Sequence, residues 1–459
     1  MRNKRIQIMR IELLVALTLT AGVCFAETTG GRKALVPVPD LAAYRAAWAA
    51  ERPRLLAETA SNRTAVAMVT VRDAEGRPVA NESVRLRLVR HAFNFGCNIL
   101  VLGQLGAKNA AYETAFTNLF NLATTTFCLK VIEKEEGKFL FEDTGTCEWR
   151  RPPPDRVLAF CRKNGLRVKG QPLMAGSWHP DWAAKRTPEQ CRKMYADYFD
   201  RVARRYGDSY TMFDLVNEAD CHRAFPLYTK NLTYIDWALE TVAEKFPKSC
   251  SICINELSEM NSRGAPADRY YQVVKRIHDK GLRLDGVGFQ FHLFSDNEFA
   301  GVLSGKNWTP QELRATYDRM GALGIPLYIT EITIPSTLGG LDLGERLQAE
   351  AAENFYRFWF ARADFAGITW WNLCDGAAWK NEGSVLSGLV DSDMRRKPVY
   401  EMLYRLIRRE WTTDVTVKTD ANGRASFRGY FGDYEATAAD KKSFFSLSRG
   451  EKHFDVFFK

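Results

Sequence analysis

The chain has 459 residues, 46% hydrophobic, 12% aromatic and 26% charged, a globular composition far from that of disordered chains. That length accommodates one large barrel plus an accessory module, with a core that needs neither disulfides nor metals to hold it. With 64 Lys+Arg against 55 Asp+Glu the net charge is only +9, and no dense basic run interleaves with aromatics, which argues against a nucleic-acid partner.

Residues 1–26 stand apart. Arg2, Lys4, Arg5 and Arg10 make a basic start, Leu13–Val23 an apolar run, and Cys24-Phe25-Ala26 a small-residue cleavage site. This predicts a signal peptide and a secreted or periplasmic protein. The apolar run falls short of the ~20 residues of a membrane span, and bulky Val23 argues against a lipoprotein anchor at Cys24. No later stretch could cross a bilayer. Ten cysteines leave an odd number after cleavage, so at least one thiol stays free or pairs between chains. Cys250-Ser251-Ile252-Cys253 lacks the partners of a zinc or redox site and reads as buried thiols or one disulfide. No metal-binding spacing and no cofactor motif is found, so neither group is expected.

Residues 27–90 are read as the first part of an accessory module and begin with an amphipathic helix over 40–60, carrying Tyr44, Trp48 and Leu55. Two strand-like runs follow, Ala65–Val71 and Val84–Val89, joined by turn chemistry at Asp73–Pro78. Residues 412–459 continue in the same style with runs at 414–418, 424–430 and 434–437. Such short groups cannot stand alone, so the two ends are expected to combine into one small β-sandwich around the middle of the chain.

Residues 91–411 alternate strand and helix signals. Strands are predicted near 93–100, 121–127, 166–173, 212–217, 251–255, 286–291, 326–331 and 367–372. Helices are predicted over 108–120, 154–164, 188–206, 232–246, 267–280, 309–323, 344–363 and 397–409. This is the α/β count of a (β/α)8 barrel. No glycine-rich phosphate motif supports the doubly wound alternative. In such a barrel the chemistry gathers at the C-terminal strand ends.

Two strand ends deliver a carboxylate where an apolar run stops: Phe213–Ala219 ends on Glu218, and Leu327–Thr333 contains Glu331. Across a barrel mouth the two would face each other, as retaining glycoside hydrolysis requires of its acid/base and nucleophile. The sixth strand adds Gln290 and His292 on one face. The eighth adds Trp370, Trp371, Asn372 and Asp375, with Trp379 beyond. Flat aromatics beside amide and imidazole groups suit sugars, which have apolar faces and hydroxyl rims.

These segments resemble glycoside hydrolase family 10, the retaining xylanases, over nearly the whole barrel. The resemblance implies that Glu218 is the acid/base, Glu331 the nucleophile and Asn217 the ligand of the sugar 2-hydroxyl. It implies that Gln290 and His292, from the Gly-x-Gly-x-Gln-x-His segment Gly286–Leu293, line the sugar subsite at the cleaved bond. Lys130, Gln171, Asn255, Trp371, Asp375 and Trp379 match further substrate-binding positions, and Lys397–Tyr400 matches the opening of the last helix. The implied substrate is xylan or a related β-glycan, and a monomer is expected.

Several positions depart from the family pattern. A Glu-Asn pair is replaced by Thr126 and Phe127, a histidine by Gln171 and a tryptophan by Ala175. Trp178 and His179, ahead of Pro180-Asp181-Trp182, can substitute from the next turn. Thr333 stands where an aspartate pairs with the histidine, which makes a protonated His292 less favoured. Three rival readings remain: a glycosidase of the same barrel acting on a different or decorated β-glycan, a catalytically weak carbohydrate-binding protein, and a purely structural surface protein, which leaves the strand-end residues unexplained.

Overall fold

A computed structural model describes residues 35–256 and 269–458; the expected signal peptide lies outside the described residues. Helix α1 (Ala42–Arg63) leads into strands β1 (Thr64–Arg72) and β2 (Ser83–His91). The middle begins with β3 (Asn94–Asn98), α2 (Asn109–Leu119), β4 (Leu122–Thr126), α3 (Leu129–Ile132) and α4 (Pro154–Lys163). It continues with β5 (Arg167–Gln171), β6 (Met174–Ala175), α5 (Pro188–Tyr206), β7 (Met212–Asn217), α6 (Tyr234–Val242) and β8 (Ser251–Glu256). Next come α7 (Arg269–Asp279), β9 (Gly286–His292), α8 (Asp296–Leu303), α9 (Pro310–Gly321) and β10 (Leu327–Thr333). Helix α10 (Leu341–Ala361), β11 (Phe365–Trp370) and α11 (Pro398–Arg405) complete it. The C-terminal strands are β12 (Asp414–Lys418), β13 (Arg424–Tyr430), β14 (Gly432–Ala438), β15 (Lys441–Leu447) and β16 (His453–Phe457).

Strands β3 to β11 form one nine-stranded sheet that closes through a β5–β7 pairing. Both β5 and β6 pair in parallel with β7, at Lys169–Gly170 and Met174–Ala175, so they are two pieces of one stave and the barrel is eightfold. The eight predicted strands and eight predicted helices are present, with ends shifted by a few residues, whereas α3, the short β6 and α8 were not anticipated. The strands are almost wholly buried on both faces, as parallel strands covered by helices must be. Sharp starts have local causes: Thr187 and Thr309 close capping boxes ahead of Pro188 and Pro310, opening α5 and α9.

The ends of the chain do combine. Strand β1 joins a three-stranded sheet in the order β13-β1-β16, and β2 joins a four-stranded sheet in the order β12-β2-β14-β15. Their alternating inner residues, among them Val69, Val71, Leu86, Tyr434 and Val456, form a separate small core. Strands β15 and β16 were not anticipated. Phe444-Phe445 and Phe457-Phe458 break the alternation that marks a half-buried strand, and β16 pairs in parallel with the distant β1.

Helix α1 departs from expectation in a different way. It belongs to the barrel's packing, not to the sandwich: Tyr44, Trp48 and Leu55 join the barrel's apolar cluster. Trp48 meets Phe355 and Phe358 of α10 edge-on, at 5.5 and 6.2 Å between ring centroids. An aromatic stripe of that size needs a long complementary face, which α10 provides and the small sandwich does not. At its end, buried Arg63 donates to the carbonyls of Phe360, Arg362 and Phe365.

Trp411 closes the base of the barrel beside the sandwich. It is 1% exposed and stacks on Phe360 at 4.1 Å and on Phe95 at 5.8 Å. Trp411→Ala is expected to destabilise the fold by about 3–5 kcal/mol, measured by denaturant unfolding. A loss below ~1 kcal/mol would mean that this stack contributes little. Among the described residues no helix is long and apolar enough to cross a membrane. All nine cysteines from Cys97 onward are free thiols, including Cys250 and Cys253.

Candidate active site

Both carboxylates of interest follow a β-bulge. On β7 the pairing slips at Leu215, so Asp214 faces Cys253 while Val216 faces Ile254. On β10 it slips at Thr330, so Ile329 faces Phe289 while Glu331 faces Gln290. A bulge re-aims the side chains beyond it. Glu218 then leaves the strand with φ +52°, left-handed backbone that a non-glycine residue holds only when its surroundings enforce it. Here the Asn255 carbonyl accepts the Glu218 N–H at 3.0 Å, and the Glu256 carboxylate accepts the Ala219 N–H at 2.6 Å.

The two carboxylates are joined by a chain of amides. Glu331 Oε1 accepts from Asn255 Nδ2 at 3.0 Å and from the Gln171 amide. Asn255 Nδ2 also lies 2.7 Å from Asn217 Oδ1. Gln290 Nε2 donates to Asn217 Oδ1 at 3.3 Å and to Glu218 Oε1 at 3.2 Å. On the other side, His292 Nε2 lies 3.1 Å from Glu331 Oε2, and its Nδ1 lies 2.8 Å from Thr333 Oγ1. A hydroxyl can donate or accept, so Thr333 can meet His292 Nδ1 in either role.

Burial raises the pKa of Glu218, and the charge of nearby Glu331 raises it further. Gln290, His292 and Asn217 oppose that shift without reversing it. The protonated carboxyl is therefore favoured at Glu218, in a cavity where a second carboxylate is held by amide donors. This is the asymmetry that separates an acid from a nucleophile.

The cavity measures about 220 Å³. Its walls include Glu218, Glu331, Asn217, Gln171, Gln290, His292, Trp371 and Trp379, all foreseen, together with Trp178. Arg150, Arg151, Phe294 and Glu382 also line it and were missed. The arginines sit in the irregular stretch between α3 and α4, where no periodicity points inward. Among the described residues, four buried polar atoms of the lining have no protein partner: Thr124 Oγ1, Thr125 Oγ1, Arg150 Nε and Gln171 Oε1. Buried polar atoms are seldom left so, and hydroxyl-rich ligands are suited to them.

Asn255 stands behind the wall as a positioning residue for Glu331. Lys130 and Asp375 are not among the lining residues. Lys130 Nζ pairs with Asp181 at 2.7 Å, and Asp375 holds Lys397 in a buried pair at 3.1 Å and accepts from the Gly388 N–H at 2.7 Å. Phe127 lies in the core, edge-on to Tyr206, Tyr210 and Phe213, whereas Thr126 reaches the cavity. His179 contacts the Tyr195 hydroxyl at 3.2 Å and braces the loop instead of lining the site.

Gly288 makes room for this arrangement. A Cβ there would come within 2.7 Å of both Asn255 Oδ1 and Thr330 Cγ2. Gly288→Ala is therefore expected to displace Asn255 from Glu331 and lower kcat by about 10²-fold, the order of effect of a ~1 Å misplacement. Steady-state kinetics beside circular dichroism measures it, and an unchanged kcat would remove Asn255 from the account.

The family model described as Glycosyl hydrolase family 10 matches residues 87–406. Endo-1,4-beta-xylanase B of Thermotoga neapolitana is 25% identical over 308 residues, covering 63% of this chain and 81% of that protein. Endo-1,4-beta-xylanase 2 of Arabidopsis thaliana is 22% identical over 393 residues, covering 82% of this chain, which spans only 33% of that relative. The crystal structure of native xylanase 10B from Thermotoga maritima superposes with a TM-score of 0.58 at 21% identity, covering 70% of this chain and 96% of that one. At that identity the superposition speaks for the fold alone.

Proposed function

The chain belongs to glycosyl hydrolase family 10, and on that premise we propose that it cleaves a β-1,4-linked xylan-type polysaccharide by retaining double displacement. The observation that carries this reading is the pairing of Glu218, its pKa raised by burial and by Glu331, with Glu331 held by Asn255, Gln171 and His292.

In the first step a Glu331 oxygen bonds to the anomeric carbon as the glycosidic C–O bond breaks, and the Glu218 carboxyl gives its proton to the departing oxygen. The glycosyl ester on Glu331 then meets water. Glu218, now a carboxylate, takes a water proton while the water oxygen displaces Glu331 from the same carbon. Two inversions return the starting configuration. Asn217 is the donor for the 2-hydroxyl in this reading, and Trp371 and Trp379 supply apolar walls for sugar faces.

A decorated or different β-glycan is the second reading, favoured by Thr126 and Ala175 at positions where the family carries larger polar or aromatic groups. Reducing-sugar release from xylan, arabinoxylan, mixed-linkage glucan and cellulose distinguishes the two. Release from xylan supports the first, release only from another glycan supports the second, and silence of the folded protein on all four contradicts both. We further propose that the protein acts outside the cytoplasm, on the strength of the basic and apolar pattern of residues 1–26.

A further inference from the structure

Arg151 lines the catalytic cavity with no carboxylate within ion-pair distance among the described residues. Its guanidinium lies over the rings of Trp178 and Trp379, at 4.9 and 5.3 Å from their centroids, and one N–H donates to the Arg150 carbonyl at 2.8 Å. Burial presses its pKa below the ordinary arginine value, and the more distant Cys128 and Glu148 oppose that shift without reversing it. Its neighbour Arg150 is 2% exposed, is held at φ +61° and bonds Asn372 Oδ1 at 2.7 Å and the Ala377 carbonyl. The Nε of Arg150 has no partner among the described residues. Two adjacent guanidinium groups thus reach one wall, neither with an ion-pair partner among the described residues.

Arg151 also borders a second cavity, of about 170 Å³, which shares Thr126 with the first. The acids lining that space are already engaged: Glu148 pairs with Lys134, and Glu142 lies 3.6 Å from Arg205. In the catalytic cavity the remaining carboxylates are Glu218, Glu331 and Glu382. With Glu218 favouring its neutral form, the charges of Glu331 and Glu382 repel an anion from the reaction centre, so the favourable place for one is the Arg151 side.

We propose that Arg151 is a specificity-determining residue that receives a carboxylate-bearing side sugar of the glycan, seated between the catalytic cavity and the side cavity. This rests on the glycosidase reading above and names its substrate class: an acidic, uronate-substituted xylan-type chain. A planar guanidinium fork lying over two indoles matches a carboxylate better than it matches a neutral hydroxyl rim.

The test is calorimetric titration of the full chain carrying Glu331→Gln with two ligands: a uronic-acid-substituted xylo-oligosaccharide, and the same compound with its carboxyl reduced to an alcohol. The acidic ligand is expected to bind at least about tenfold more tightly, the size of a charge-assisted hydrogen bond. The gap should shrink with added salt, close when Arg151→Gln is added, and survive in part with Arg151→Lys. Equal affinities for the two ligands would overturn this inference and leave the glycosidase reading standing. Binding of neither would overturn both.

Discussion

Replacing Glu331 with glutamine is expected to lower kcat/KM on the cleaved glycan by at least about 10⁴-fold, or ~5.4 kcal/mol of transition-state stabilisation at 1.36 kcal/mol per tenfold. The amide is nearly isosteric but cannot form the glycosyl ester. The fold should be untouched, because the substituted amide can still meet the Asn255, Gln171 and His292 groups that now hold the carboxylate. Product release by the purified variant, beside its melting curve, measures both halves. Turnover within tenfold of the parent would take the nucleophile away from this position.

Removing the carboxyl of Glu218 should divide substrates by their leaving groups. On a natural glycan, Glu218→Ala is expected to lose about 10²–10⁴-fold, the usual contribution of general acid catalysis. On an aryl glycoside whose phenolate leaves unaided, the first step needs no acid, and the loss in that step should be far smaller. The acid works only while protonated. With its pKa raised by burial and by Glu331, the parent's rate should fall as pH climbs through that raised value, and Glu218→Ala should lack this limb. The same shift has a sign for stability. A carboxyl whose pKa is higher in the folded state favours folding below its unfolded value, and that advantage is lost as pH rises through the folded one. Glu218→Gln should therefore gain stability over the parent at alkaline pH, and the gain should vanish below about pH 4, where both side chains are neutral. A melting difference of the opposite sign would contradict the burial argument.

The carboxylate pair was legible in the chain because each glutamate ends a short apolar run, and the strand–helix count says which ends share a barrel mouth. Gln290 and His292 were legible for the same reason, being two residues apart on one strand. Arg150 and Arg151 were not, since the segment between α3 and α4 has no period that tells inside from outside, and Arg150 depends on a left-handed backbone that only the assembled fold enforces. Matching by position also has a limit. Lys130 and Asp375 occupy the expected places in the sequence, yet each is engaged by an opposite charge, Asp181 and Lys397, that lies far away along the chain. Phe127 shows the same limit: just past β4, it fills core space left by the missing side chain at Gly170, where a Cβ would strike Phe213 and Phe127. The sandwich was legible as a union of both chain ends, but its last two strands were hidden by paired phenylalanines.

In double displacement Glu331 carries the sugar between the two steps. A 2-fluoro glycoside with a good leaving group slows the second step more than the first, so the glycosyl-enzyme should accumulate. Peptide mass spectrometry after incubation with such a xyloside is predicted to find one added glycosyl group, on the peptide containing Glu331, and none on the Glu331→Gln protein. An adduct on Glu218 or Glu382 instead, or rapid turnover that releases the inverted anomer with no adduct at any residue, would contradict the account.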